Sequence, residues 1–188
     1  TSHARVTRDV DVVAEIAGTP GYRWATRTMG DLGFHPDSSE GAPVCRWVKA
    51  GLLVDLMGTE ETPFGESNPW YAEGFSSRIP CVLPSTGLTI FILSGPVFLL
   101  TKWVAYGQRG KGNMMGSHDI EDMLNVLDGR KGIQGEAVAS SAPIREGLRE
   151  MAETLLLSAE FSGYCLPSLG DREEVARGNL EAFQRLVD

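Results

Sequence analysis

Asp9 and Asp11 alternate with valines in the run Arg8-Asp-Val-Asp-Val-Val13. β-Branched residues favour a pleated, half-buried strand, and residues i and i+2 of a strand project from the same face. The spacing therefore predicts two carboxylates side by side. Two anions that close call for a cation, and hard oxygen ligands suit magnesium, whose remaining positions are usually filled by water and phosphate oxygens. The chemistry indicated is phosphoryl or nucleotidyl transfer. An Asp-x-Asp pair also arises as a turn or a solvated strand face, so it is not specific alone. Asp55 is a lone charge within Gly51-Leu-Leu-Val-Asp-Leu-Met57. Burying an unpaired acid is unfavourable, so Asp55 either forms a salt bridge near a strand end or shares a metal face with Asp9 and Asp11. In the second arrangement, three acids on adjacent strands hold two magnesium ions. One activates an attacking hydroxyl and the other binds the triphosphate and leaving group. Asp55 is then the acid best placed to take the hydroxyl proton.

A second group of residues falls on expected helices. Lys102 lies in the otherwise apolar Phe98-Leu-Leu-Thr-Lys-Trp-Val104, and Arg109 is two helical turns further on. Asp119 and Asp122, three apart, share a helix face. Lys102 has two readings: contact with a phosphate, or an inter-helix ion pair with Asp119 or Asp122, since buried charges are normally paired. Gly107-Gln-Arg-Gly-Lys-Gly112 lacks the Gly-Lys-Ser/Thr ending of a P-loop and is not read as one. His118 fits an exposed first-turn histidine. Trp70-Tyr71 fits a loop pair capping the core better than a base-stacking platform. Arg46 alternates outward from Cys45 and Trp47 and is within reach of a phosphate.

These residues need a scaffold. A helix is expected over 20–32, opened by Thr19 and Pro20 and closed by Gly33. Strands are expected at 44–49 and 52–57, joined at Ala50-Gly51 as a hairpin, and at 78–83 and 88–93. Helices follow over 96–108, 117–128 with Ser117 as cap, 143–159 and 171–186. The layout is α+β: a small mixed sheet with flanking helices over 1–93, then a helical subdomain over 94–188.

Hydrophobic residues make up 42% of the 188, enough for a real core, and the net charge of −8 argues against a general nucleic-acid binder. Cys45, Cys81 and Cys165 fit neither a zinc spacing nor a disulfide framework, so a reducing cytoplasm is expected. The apolar stretch 88–104 is interrupted by Ser94, Gly95, Pro96 and Lys102, and no membrane span is expected.

Thr7-Arg-Asp-Val-Asp11, Val54-Asp-Leu56, Thr101-Lys102 with Arg109-Gly110, and Ser117-His-Asp-Ile-Glu-Asp122 together resemble the AbiEii/AbiGii toxin-like nucleotidyltransferases, within the DNA polymerase β-type nucleotidyltransferase superfamily. The resemblance runs over about residues 5–130. It implies a nucleotidyltransferase-type sheet and a magnesium-dependent enzyme that moves a nucleoside monophosphate from a nucleoside triphosphate to an acceptor. It implies metal ligation by Asp9 and Asp11, a third catalytic acid at Asp55, a nucleotide-contacting Lys102 and support from Asp119. With Arg109 and Asp122 beside them on the helix faces, Lys102 and Asp119 form the candidate nucleotide-binding set. Some members of the family are toxins of toxin–antitoxin pairs, and some act on the acceptor end of transfer RNA. Transfer RNA and a cognate antitoxin are thus the candidate partners besides the nucleoside triphosphate. The superfamily also places a Gly-Gly or Gly-Ser turn shortly before the Asp-x-Asp strand. The eight residues before Asp9 contain none, so either sequence upstream of Thr1 supplies it or the nucleotide grip is incomplete. The competing readings are a non-catalytic binding module on the same fold and a small-molecule (antibiotic) nucleotidyltransferase, whose cationic acceptor would suit the acidic chain.

Overall fold

The structure is a computed structural model, and it describes residues 9–61, 67–109 and 112–186. The expectations for the residues before Asp9, for the loop at 62–66 and for residues 110 and 111 lie outside these. The chain is α+β and divides between Ser77 and Arg78 into two compact units. This division falls earlier than the one expected near Ser94, because the strands expected at 78–93 group with the helices that follow them.

The first unit contains β1 (Asp9–Ala14), α1 (Gly18–Asp31), β2 (His35–Pro36), β3 (Arg46–Lys49), β4 (Leu52–Gly58) and a short α2 (Tyr71–Ser76). Its sheet has the order β1-β4-β3-β2, with β1 parallel to β4 and the other pairings antiparallel. The parallel pair needs a crossover between its strands, and α1 lies within it. The hairpin β3–β4 turns through Ala50 (φ 49°) and Gly51 (φ 81°). Two successive left-handed residues match the twist of the flanking strands. Period-two alternation then sorts the side chains. Trp47, Val54 and Leu56 pack with Ile16, Ala25 and Met29 into a small core. Val10 and Val12 pair in register with Val54 and Leu56, yet remain 49% and 38% exposed, because β1 is the edge strand.

Helix α1 begins at Gly18, earlier than expected, with Ala17 at the cap position and no side-chain cap. Thr19 therefore lies inside the first turn. Gly33, at φ 81°, closes the helix as expected.

The second unit opens with a separate two-stranded hairpin, β5 (Ile79–Val82) and β6 (Thr89–Ile92). Then come α3 (Gly95–Arg109), α4 (His118–Gly129), α5 (Ile133–Val138), α6 (Ala142–Leu157), a π-helical turn (Phe161–Cys165), a 3-10 segment (Pro167–Arg172) and α7 (Glu173–Gln184). The apolar stripe expected on α4, at Ile120, Met123, Leu124 and Leu127, is buried throughout. The Ser117 hydroxyl accepts from the Ile120 amide at 3.4 Å and caps α4. Helix α5 has six residues, too few for a periodic signal in the sequence, and it forms a seat for α3. The Gly95 amide donates to Glu136 Oε2 at 3.1 Å, and Glu136 Oε1 accepts from Arg130 Nε at 2.7 Å. A methyl group on Gly95 would lie 2.5 Å from Ile133 Cδ1. Among the described residues no helix is long and apolar enough to cross a membrane. All three cysteines are free thiols.

Candidate functional site

The sheet brings the three acids to one face. Asp11 is the register partner of Asp55 across the parallel pair, and Asp9 lies two residues before Asp11 on the same side of β1. On the other flank of β4, Arg46 is the antiparallel partner of Asp55. Its guanidinium grips Asp55 at two points, Nε to Oδ1 at 2.8 Å and Nη2 to Oδ2 at 2.7 Å. The same Nη2 donates to Asp9 Oδ2 at 2.9 Å. The Asp55 side chain is 12% exposed and that of Asp9 39%. The hydrogen bond from Asp55, together with the negative charge of Asp55 and Asp9, raises the affinity of Arg46 for its proton, so it is a permanent cation. Burial, and then the negative charge of Asp55, push the Cys45 thiol above its ordinary value.

This donor set has the chemistry of a hard-cation site. Three carboxylates share one face, and a single guanidinium leaves them with surplus negative charge. The acids are not drawn around one point, because Arg46 stands between Asp9 and Asp55. Among the described residues no group of three His, Cys, Asp or Glu side chains is disposed to hold a metal ion. Asp9 and Asp11 fit magnesium by type and placement. Asp55 fits as a neighbour oriented by Arg46.

The second candidate set lies in the helical unit. Lys102 Nζ on α3 is 2.7 Å from Asp122 Oδ2 and 3.7 Å from Asp119 Oδ1 on α4, and 5.5 Å from the centre of the Phe98 ring. The inter-helix ion pair is therefore present, with both acids turned to the same cation. Arg109 lies at the exposed end of α3 and pairs with neither acid. His118 is exposed and faces Glu121 at 3.4 Å, as an ordinary first-turn histidine does. Tyr71, expected in a loop, opens α2, and its hydroxyl donates to the Met57 sulfur at 3.0 Å, tying α2 to β4.

One surface was not anticipated from the sequence. Thr19, Pro20, Arg23, Trp24 and Arg27 line a hollow of about 420 Å³ on α1. Trp24 is 61% exposed. The spacing of Arg23 and Arg27, one turn apart on either side of a tryptophan, is the signal that could have revealed it.

No family model, curated protein or solved structure matches the chain.

Proposed function

We propose that the chain is a magnesium-dependent nucleotidyltransferase that moves a nucleoside monophosphate from a nucleoside triphosphate to an acceptor. The observation behind this reading is the in-register pair Asp11 and Asp55, with Asp9 on the same face. Asp9 and Asp11 are the residues that would hold magnesium. When bound, magnesium supplies charge neutralisation for the triphosphate and lowers the pKa of the attacking hydroxyl. Asp55 takes the hydroxyl proton. Each of its oxygens accepts one bond from Arg46 and retains capacity for another. Lys102 is assigned to the nucleotide phosphates, with Asp119 and Asp122 holding its ammonium in place, and Arg109 adds a further cationic contact.

For the acceptor, the α1 surface favours RNA, with transfer RNA as the candidate. Two guanidinium groups suit a phosphate backbone, and an exposed indole suits base stacking. A toxin paired with an antitoxin, acting in the cytoplasm, is the biological setting that goes with this chemistry. A second reading is a binding module without catalysis. It is favoured by Arg46, which already satisfies Asp55 and part of Asp9.

The test is incubation with each α-labelled nucleoside triphosphate, magnesium and total cellular RNA. Label in RNA is expected, and it should fall when Arg23 and Arg27 are both changed to Glu. Label transferred only to a small polyamine would replace RNA with a small-molecule acceptor. No transfer to any acceptor would favour the binding module.

A further inference from the structure

We propose that Arg46 is a positioning residue and the resident counter-cation of the acid face, keeping Asp55 in place while it yields Asp9 to an incoming divalent cation. The inference rests on the acid face being the magnesium site of the reading above. Three features lead to it. The first is geometric: one guanidinium joins acids on both neighbouring strands, two bonds to Asp55 and one to Asp9. A face that gathers like charges repels itself, and Arg46 relieves that repulsion from within the chain.

The second is the difference between its two partners. The fork onto Asp55 is bidentate and largely shielded, the strongest form of such a pair. The single bond to Asp9 involves a carboxylate 39% exposed, and solvated pairs contribute little. A divalent cation competes with Arg46 on unequal terms: it can take Asp9, not Asp55.

The third is the origin of Arg46. It sits on β3, joined to β4 by a two-residue turn, so its backbone is fixed opposite Asp55. Losing Asp9 leaves the guanidinium anchored. Asp55 thus keeps one orientation whether or not a metal is bound.

The test uses manganese as a paramagnetic probe for the magnesium site. Binding is followed by electron paramagnetic resonance in the wild type, Arg46→Gln and Arg46→Lys, with melting temperatures measured with and without the ion. Arg46→Gln should bind manganese about tenfold more tightly, since a positive charge in contact with the site is gone. It should melt lower than wild type without the ion, and manganese should narrow that gap. Arg46→Lys keeps the charge but cannot span both carboxylates, so its affinity should fall between the two. If Arg46→Gln does not fold, Arg46→Lys decides alone by binding more tightly than wild type. A purely structural arginine would weaken metal binding when removed. Equal or weaker affinity in the folded variants therefore overturns the proposal and leaves the metal site standing. Absence of manganese binding in all three proteins overturns both.

Discussion

Arg46 in the sheet unit and Lys102 in the helical unit each sit between two carboxylates, but the two arrangements differ in shape. Arg46 makes three hydrogen bonds through a planar fork, two of them to one acid. Lys102 makes one short contact and one long one, and leans on the Phe98 ring. A guanidinium fixes the direction of its partners, whereas an ammonium acts as a point charge that tolerates several directions. The surroundings differ too. Lys102 lies on a helix whose neighbours Leu99 and Leu100 are fully buried, and its pair ties α3 to α4. Arg46 faces away from a core of only a few side chains, and Asp9 beside it is partly wet. Where charge serves packing, it is enclosed by apolar residues. On the sheet, acids outnumber cations on an accessible face, an arrangement that packing alone does not require.

The sharpest way to break this contrast is activity. Asp11→Asn should reduce nucleotide transfer by about a thousandfold, the scale of losing a group that positions transition-state charge, and it should leave the circular dichroism spectrum unchanged. Asp122→Asn should reduce transfer far less. Equal losses would erase the distinction between the two sites.

Stability separates them next. In double-mutant cycles by urea unfolding, Arg46→Gln with Asp55→Asn should give a coupling of about 2–3 kcal/mol, for a shielded bidentate pair. Lys102→Met with Asp122→Asn should give about 1 kcal/mol, closer to the partly solvated range. A larger coupling at Lys102 would reverse the ranking.

A smaller effect concerns the hairpin turn that aligns Arg46 with Asp55. Ala50 is the one non-glycine residue with positive φ among those described. Ala50→Gly or Ala50→Asn should stabilise the chain by about 0.5–1 kcal/mol, since these residues accept the left-handed region more readily, without altering transfer.

The smallest effect is a pH response shared by both units. In the sheet unit, hydrogen bonds from Ser39 hold the Asp37 carboxyl below its ordinary value. In the helical unit, the Arg149 hydrogen bond does the same for Glu146. A depressed folded value contributes stability above the unfolded value and loses it as pH falls through the folded one. Asp37→Asn and Glu146→Gln should each lower the melting temperature slightly at pH 7, and the difference from wild type should vanish in strong acid.

Much of this was legible in the sequence where local rules dominate. The hairpin at Ala50-Gly51 fixes the register: if Lys49 pairs with Leu52, then Arg46 pairs with Asp55, as it does. That step was available from the turn alone, although the arginine was instead read as a phosphate contact. Alternation of Val and Asp correctly placed Asp9 and Asp11 on one face. It could not show that β1 would be an edge with half-exposed valines, because strand order is a long-range property. The α4 stripe and the Ser117 cap were readable because a twelve-residue amphipathic helix carries a strong period. Helices α2 and α5, six residues each, and the π turn at Phe161 carry no such period. They exist because neighbours hold them, Tyr71 on Met57 in one case and Glu136 on Gly95 in another.

That last contact has a mechanical consequence. With Glu136 bonded to the first amide of α3, and Ile133 filling the space where a methyl on Gly95 would go, α5 acts as an end stop. Helix α3 is prevented from sliding along its own axis. A slip of one turn would carry Lys102 about 5.4 Å, well outside the reach of Asp122. The longitudinal setting of the lysine is therefore decided at the far end of its helix, by a six-residue segment that itself carries no candidate site residue.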